Sequence, residues 1–186
     1  MKIRMATAED SKDILEIYRP YVEETAISFE YDVPEIEEFS DRVSGILMDY
    51  PYLVAEEDGR ILGYAYATRF KARKAYDHVV EVSIYVDRDA KGRGIGRELY
   101  TELEKYLLGQ NVFLLCACIT ATERDDDEFL TDDSIKFHTA MGYRVAGRHD
   151  KIGYKFGRWY GIIWMEKDLS DRPDEPGPFI PFSEKE

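Results

Sequence analysis

A chain of 186 residues with a formal net charge of −13 and a hydrophobic fraction of 44% has the size and composition of one globular domain with a sizeable core. So acidic a balance excludes nucleic acid as the main partner, because the phosphate backbone repels it. No apolar run approaches the roughly 20 residues that cross a bilayer, so no membrane partner is expected.

The opening string Met1-Lys2-Ile3-Arg4-Met5-Ala6 lacks the apolar stretch of a secretory signal, which points to a cytoplasmic protein. Residues 2–6 read as a first strand. Thr7 is placed to cap a helix over residues 9–24, where Ile14, Ile17, Tyr18, Tyr21 and Val22 recur at helical spacing. Pro34 introduces a second helix with Ile36, Phe39, Val43 and Leu47 as its stripe. Residues 52–56 and 60–68 form a hairpin across Asp58-Gly59, a pair suited to a tight turn. Residues 79–86 are a β-branched fourth strand, and 96–108 a helix that turns Leu99, Leu103 and Leu107 toward the sheet. Residues 111–120 are a continuous apolar strand, buried on both faces. Its cysteines, Cys116 and Cys118, would share one strand face and are read as buried free thiols; no metal site is expected. The charge run Asp125-Asp126-Asp127-Glu128 reads as a solvated loop. A helix over 132–141 stops at Gly142, and strands over 143–150 and 158–168 follow, joined by residues 151–157. Beyond Ser170, four prolines and several charges predict a poorly ordered tail, which gives a domain over 1–169 and a tail over 170–186.

The most telling stretch joins the fourth strand to the helix after it. Lys91-Gly92-Arg93-Gly94-Ile95-Gly96-Arg97 is basic and glycine-rich in an acidic chain. Its glycines let backbone N–H groups approach a ligand, and the helix that follows adds the positive end of its dipole. Together with Lys91, Arg93 and Arg97 this predicts an anion site suited to phosphate; a bare β–α turn is the alternative. The spacing fits neither the P-loop, which needs Lys-Ser or Lys-Thr after the glycines, nor the dinucleotide fingerprint G-x-G-x-x-G.

The pattern Lys91-x-x-Gly94-x-Gly96 instead resembles the pyrophosphate loop of the GNAT acetyltransferase superfamily, with lysine where that family usually has arginine or glutamine. The predicted element order is also that of the superfamily. Further strings resemble its phosphinothricin and methionine sulfoximine acetyltransferase subgroup. They are Thr25-Ala26-Ile27-Ser28-Phe29-Glu30, Arg73-Lys74-Ala75-Tyr76, Val80-Glu81-Val82-Ser83-Ile84-Tyr85-Val86, the run from Ser134 to Tyr143, and the run from Gly153 to Tyr160. The resemblance implies an α/β (α+β) acyl-CoA N-acyltransferase fold. Its sheet would be mixed, mostly antiparallel, of about seven strands, and flanked by helices.

It also implies acetyl-CoA as cosubstrate and a small amino acid-like amine as acceptor, joined by direct attack in a ternary complex. Ile84, Tyr85 and Val86 would line the cofactor through their backbone, with the Val86 N–H meeting the oxyanion. Residues 91–97, including Ile95, would hold the pyrophosphate, and Thr131 and Ser134 would add cofactor contacts. Glu81, an acid in a mostly apolar strand, would be the general base; a solvent-facing strand position is the alternative. His138, four residues before Gly142, is the candidate acid for the thiolate, or a contact to the cofactor. Phe29 and Glu30 would wall the acceptor, and Arg73, Lys74, Ala75 and Tyr76 would complete its pocket, with Arg73 or Lys74 taking a carboxylate. The subgroup implies a homodimer, with the aromatic 154–160 region as a candidate surface. A protein or peptide N-terminal acetyltransferase, a non-catalytic acyl-CoA-binding module and a scaffold for a basic partner are the competing readings.

Overall fold

The computed structural model describes residues 1–184. Its elements follow in the order β1 (Lys2–Met5), α1 (Ser11–Glu23), α2 (Ile36–Asp49), β2 (Tyr52–Glu57), β3 (Arg60–Arg69), β4 (Val79–Val86), α3 (Ile95–Gly109), β5 (Leu114–Ala121), α4 (Asp133–Ala140), β6 (Arg144–Lys155) and β7 (Arg158–Asp168). The strands form one seven-stranded sheet in the order β1-β2-β3-β4-β5-β7-β6. Every pairing is antiparallel except β4 with β5. This is the mixed, mostly antiparallel sheet that the resemblance implied.

The two faces of the sheet are built differently. On one, Leu99, Leu103 and Leu107 of α3 pack onto Leu53, Ala65, Val80, Val82 and Leu115 in the main core. The other face is covered by α1 and α2 and is rich in tyrosine. There Tyr52, Tyr64 and Tyr66 stack, and Tyr85 packs edge-on against Tyr18 and Tyr21. Alternation along β4 assigns Val80, Val82, Ile84 and Val86 to the first face and Glu81, Ser83 and Tyr85 to the second.

One discontinuity positions everything that follows. β4 and β5 pair only at Val79↔Leu114, Val80↔Leu115 and Glu81↔Cys116. Beyond Cys116, β5 follows β7 as far as Ala121↔Gly161, while β4 follows β3 as far as Val86↔Gly63. The sheet therefore opens into a V whose vertex lies at Glu81 and Cys116.

Several expectations are corrected. Residues 151–157 are not a connector: β6 runs on to Lys155, and the turn is only Phe156-Gly157, both at positive φ (50° and 72°). Register shifts at Val145/Gly147 and His149/Gly153 absorb the extra residues and break the period-2 pattern that marks a strand. Cys118 is exposed although its neighbour on the same face, Cys116, is buried, because β4 has diverged from β5 by that point. Within the charge run, the side chain of Asp127 is fully enclosed. Its Oδ1 accepts from the Phe129 N–H at 3.0 Å and the Tyr160 hydroxyl at 3.1 Å, and Arg158 lies 3.4 Å away. The tail is also tied down. Gln110 Nε2 donates to Ile180 O at 2.8 Å, Asn111 Nδ2 to Pro178 O at 2.7 Å, and Phe179 packs on Tyr50. Its aromatic residues supply the burial that its prolines and charges obscure; residues 185–186 lie outside the described residues.

Candidate active site

The open arm of the V is a place for an extended ligand, and the backbone shows why. The Asp87 N–H donates to Leu62 O at 2.9 Å, which makes Gly63↔Val86 a non-hydrogen-bonded pair. Alternation then turns the N–H and C=O of Ile84 and Val86 away from β3 and into the gap that β5 has left. The Val86 carbonyl is taken by the Tyr21 hydroxyl at 2.5 Å, so its N–H is the polar group left facing the cleft. Tyr85 is not brought there. The same alternation commits its backbone to β3, and its ring lies in the tyrosine cluster on the other face. Its expected cofactor contact is therefore corrected.

At the mouth of the V lies a cleft of about 460 Å³, lined by Tyr21, Ile27, Ile84, Val86, Ala90, Lys91, Gly92, Gly94, Ile95, Gly96, Arg97, Thr131, Asp133, Ser134 and Phe137. The structure thus unites the glycine loop, the β4 end, Thr131 and Ser134 as the sequence anticipates. Gly92 and Gly94 sit at φ +77° and +81°, a conformation L-residues resist. Gly96 has a different reason: a Cβ there would lie 3.0 Å from Phe137 Cε2 and 3.4 Å from Ile84 Cδ1. Ile95 is buried and anchors the start of α3 in the core. Among the described residues neither Lys91 nor Arg97 has a carboxylate partner, and both side chains are exposed. Arg93 does not join them, because Glu57 holds its guanidinium at 2.5 Å beside the β2–β3 hairpin.

Glu81 sits at the vertex, paired with Thr68 on one side and Cys116 on the other. Burial pushes its carboxyl above the usual range, and Lys71 pulls it partly back. Burial also pushes the Cys116 and Cys118 thiols up to about 11, so neither is a ready nucleophile.

His138 lies in the protein interior, only 4% exposed, and does not line the cleft. Its Nδ1 is 2.8 Å from Ser134 O, an atom that only accepts, so Nδ1 carries the hydrogen. In the neutral ring, Nε2 then accepts from the Tyr100 hydroxyl at 3.0 Å. Burial lowers the pKa of the ring, against the raising effect of the Ser134 bond. Both nitrogens are thus occupied in the uncharged form, and His138 has no proton free to give.

The expected acceptor residues split into two groups. Glu30 lines a cavity of about 440 Å³ between α2 and the β2–β3 face, with Tyr18, Tyr52, Tyr66, Thr68 and Arg42. Its carboxylate pairs with Arg42 at 2.6 Å. Phe29 is held by β6, where Gly153 leaves room for its ring. Arg73, Lys74, Ala75 and Tyr76 form an exposed turn that lines neither this cavity nor the cleft. Sequence reasoning missed Tyr21, Ile27, Ala90, Asp133 and Phe137 in the cleft. Tyr21 and Phe137 carry an apolar, core-like signal, and only the splay of the strands gives them a second surface.

Lys155 was also missed. It is almost completely buried, and its ammonium donates to the carbonyls of Val22 at 2.7 Å, Thr25 at 3.0 Å and Ser28 at 2.7 Å. It thereby fixes the end of α1 and the segment that presents Phe29 and Glu30. Burial lowers the pKa of its ammonium, and Glu30 partly offsets the shift.

The described residues contain no group of three or more potential metal ligands, and no helix among them is long and apolar enough to cross a membrane. Comparison with known proteins agrees with this geometry. The chain is 33% identical to phosphinothricin N-acetyltransferase of Streptomyces viridochromogenes over 184 residues, 99% of this chain and 96% of that protein. It is 30% identical to the L-methionine sulfoximine/L-methionine sulfone acetyltransferase of Salmonella typhimurium, over 92% of this chain and 96% of that one. A GNAT superfamily phosphinothricin acetyltransferase from Sinorhizobium meliloti, solved in complex with AcCoA, superposes with a TM-score of 0.84 at 32% identity, covering 97% of each chain. The acetyltransferase (GNAT) domain profile matches residues 3–164, and the chain belongs to that family.

Proposed function

We propose that this acetyl-CoA-dependent N-acetyltransferase acetylates the primary amine of a small amino acid-like acceptor, with Glu81 as general base. The reading rests on one observation above all: the carboxylate stands at the vertex of the V, where the open arm of β4 meets the tyrosine-lined face. The residues of the cleft fit acetyl-CoA. Gly92, Gly94 and Gly96 expose backbone N–H groups at the start of α3, and Lys91 and Arg97 are free to meet phosphate. The backbone groups of Ile84 and the N–H of Val86 face the open arm. Acetyl-CoA supplies the activated thioester.

Glu81 takes the proton of the acceptor ammonium. The freed amine attacks the thioester carbonyl carbon, the C–N bond forms, and the C–S bond breaks. The Val86 N–H meets the charge that builds on the carbonyl oxygen. The nitrogen of the new amide sheds its second proton to solvent, CoA leaves as a thiolate that is protonated from solvent, and His138 serves as a packing and hydrogen-bonding residue instead of an acid. Raised thiol pKa values support direct transfer over a cysteine-bound acetyl intermediate.

The compounds in the relatives' names, and methionine as a parent amino acid, are the first acceptors to test. CoA release should appear with acetyl-CoA plus phosphinothricin, methionine sulfoximine or methionine, and should fall about 100-fold or more in Glu81→Gln. Full turnover in Glu81→Gln would remove Glu81 from the mechanism. Acetyl-CoA binding without turnover on any amine, short peptides included, would favour a binding module.

A homodimer through the β6–β7 ribbon is also proposed. Ile152, Tyr154 and Trp159 are each about half exposed there, a cluster unusual for a monomer's surface. Light scattering should give twice the chain mass, and Trp159→Glu should lower it; a monomeric wild type refutes the assignment.

A further inference from the structure

Where β5 leaves β4, the backbone groups it abandons must be met in some other way. The Val86 carbonyl is met by a side chain. Tyr21 of α1, 65 residues away in sequence, donates its hydroxyl hydrogen to that oxygen at 2.5 Å. A carbonyl oxygen only accepts, so the direction of the bond is fixed. Burial raises the pKa of the hydroxyl, which therefore keeps its proton at neutral pH.

The ring is held independently of that bond. It packs edge-on against Tyr85, with centroids 5.1 Å apart. Lys91 Nζ and Arg88 Cζ lie 5.8 Å and 5.9 Å from its centroid. Arg88, just beyond β4, also donates to Pro20 O at 2.8 Å and pairs with Glu24 at 2.5 Å. The end of α1 is thereby tied to the end of β4.

The consequence falls on Val86. The N–H of Asp87, at the other end of the same peptide, donates to Leu62 O at 2.9 Å. The Val86–Asp87 peptide is thus held at both polar ends, and the Tyr85 carbonyl is committed to β3. These two peptides set the direction of the Val86 N–H, and both are fixed before a ligand arrives. An unmet Val86 carbonyl would draw water into the arm. Its lone pairs would also face the same side of the strand as the N–H that meets the developing negative charge. Stabilisation of such a charge depends on donors aimed in advance, with no acceptor competing beside them.

We propose that Tyr21 is a positioning residue for acetyl transfer: its hydroxyl takes the place of the absent strand at the Val86 carbonyl and thereby holds the Val86 N–H on the thioester oxygen. The assignment rests on the acetyl-transfer reading above and deepens it. Tyr21 acts through Val86; its hydrogen is committed to that carbonyl and is not passed to the departing thiolate.

The test is Tyr21→Phe, which keeps the ring and deletes the hydroxyl. Acetyl-CoA isotope-labelled at the acetyl carbonyl is bound without acceptor, and the stretching band of that carbonyl is read by infrared difference spectroscopy. In wild type the band should lie below that of free acetyl-CoA. In Tyr21→Phe it should move back toward the free value, while calorimetry gives a Kd for acetyl-CoA within about threefold of wild type. With methionine or methionine sulfoximine as acceptor, kcat should fall about 10- to 100-fold, the range set by one unmet buried acceptor, and KM should change less. Glu81→Gln should lose turnover yet keep the wild-type band, which separates the base from the oxyanion donor. An unshifted band in wild type, or an identical band in wild type and Tyr21→Phe, overturns the assignment. So does a Kd that rises as much as kcat falls, because the hydroxyl would then serve cofactor binding alone. The infrared measurement needs no acceptor, so absence of turnover on every amine tried, with the band moving as stated, overturns the acceptor reading and supports the role of Tyr21.

Discussion

Replacing Lys155 by methionine tests whether the acceptor-side loop is held by one buried charge. Methionine keeps the length and much of the volume of the stem but deletes all three donors. The carbonyls of Val22, Thr25 and Ser28, now bonded at 2.7 to 3.0 Å, lose their partner together. Each unmet buried acceptor costs about 1 to 3 kcal/mol, which sets an upper bound near 9 kcal/mol. Two terms reduce it. Removing the ammonium recovers its desolvation cost, which is real because burial lowers its pKa. Carbonyls at a helix end also find water more easily than those inside a helix. The balance is about 3 kcal/mol, the low end for deleting one member of a buried charged cluster. For a chain of this length that is a melting shift of about 6 to 12 °C. Calorimetric melts of both proteins give the number directly. The loosened segment carries Phe29 and Glu30 and also Ile27 of the cleft, so KM for the acceptor should rise and the affinity for acetyl-CoA should fall with it. A melting point within about 2 °C of wild type would refute the reasoning, because the bonds would then only balance the desolvation.

Glu81→Gln should lose activity yet gain stability at neutral pH. The folded carboxyl titrates above its unfolded value of 4.5, so the folded state binds more protons between the two, and wild-type stability falls as pH rises through that window. The melting gap between variant and wild type should open above pH 4.5 and persist at pH 7; a gap that does not change with pH contradicts the burial of Glu81. His138→Phe should keep kcat within about threefold while lowering the melting point, because Tyr100 loses its acceptor in a buried setting. A kcat loss above about 100-fold with an unchanged melt would return His138 to the chemistry. Gly96→Ala should weaken acetyl-CoA binding by calorimetry, because the new methyl group pushes Phe137 and Ile84 into the cleft they line. Undiminished affinity would mean that the ring can move away at no cost.

The parts of the site that depend on local rules were legible in the sequence. The glycine loop announced itself because positive φ and close approach demand glycine, and the tight turn at Asp58-Gly59 because both residues take positive φ. Glu81 stood out as a charge in an apolar strand. What failed depended on distant partners. Lys155 looked like one more surface lysine near a turn, and nothing nearby in sequence shows that the end of α1 comes to meet it. Arg93 looked equivalent to Lys91 until the β2–β3 hairpin supplied Glu57. Tyr85 failed through strand parity: one residue's shift in register decides whether a backbone faces β3 or the cleft.

The placement of unpaired cations explains how so acidic a protein can still receive anions. Most arginines are consumed by neighbouring carboxylates, as in Arg4 with Asp10 and Glu56, Arg42 with Glu30 and Glu38, and Arg144 with Glu166 and Asp168. The loops at the two ends of β4 are different. Lys71, Arg73 and Lys74 precede the strand, and Lys91 and Arg97 follow it, all without an ion pair among the described residues. A net charge of −13 would otherwise repel a phosphorylated cofactor and a carboxylate-bearing acceptor alike. Local cations at both ends offset that repulsion where the two ligands would enter, and Glu81, as the proposed base, would draw the ammonium to the strand between them. Low salt should therefore favour acetyl-CoA binding more in wild type than in Arg97→Ala, since the variant keeps only Lys91 as a free positive charge for salt to screen at that mouth.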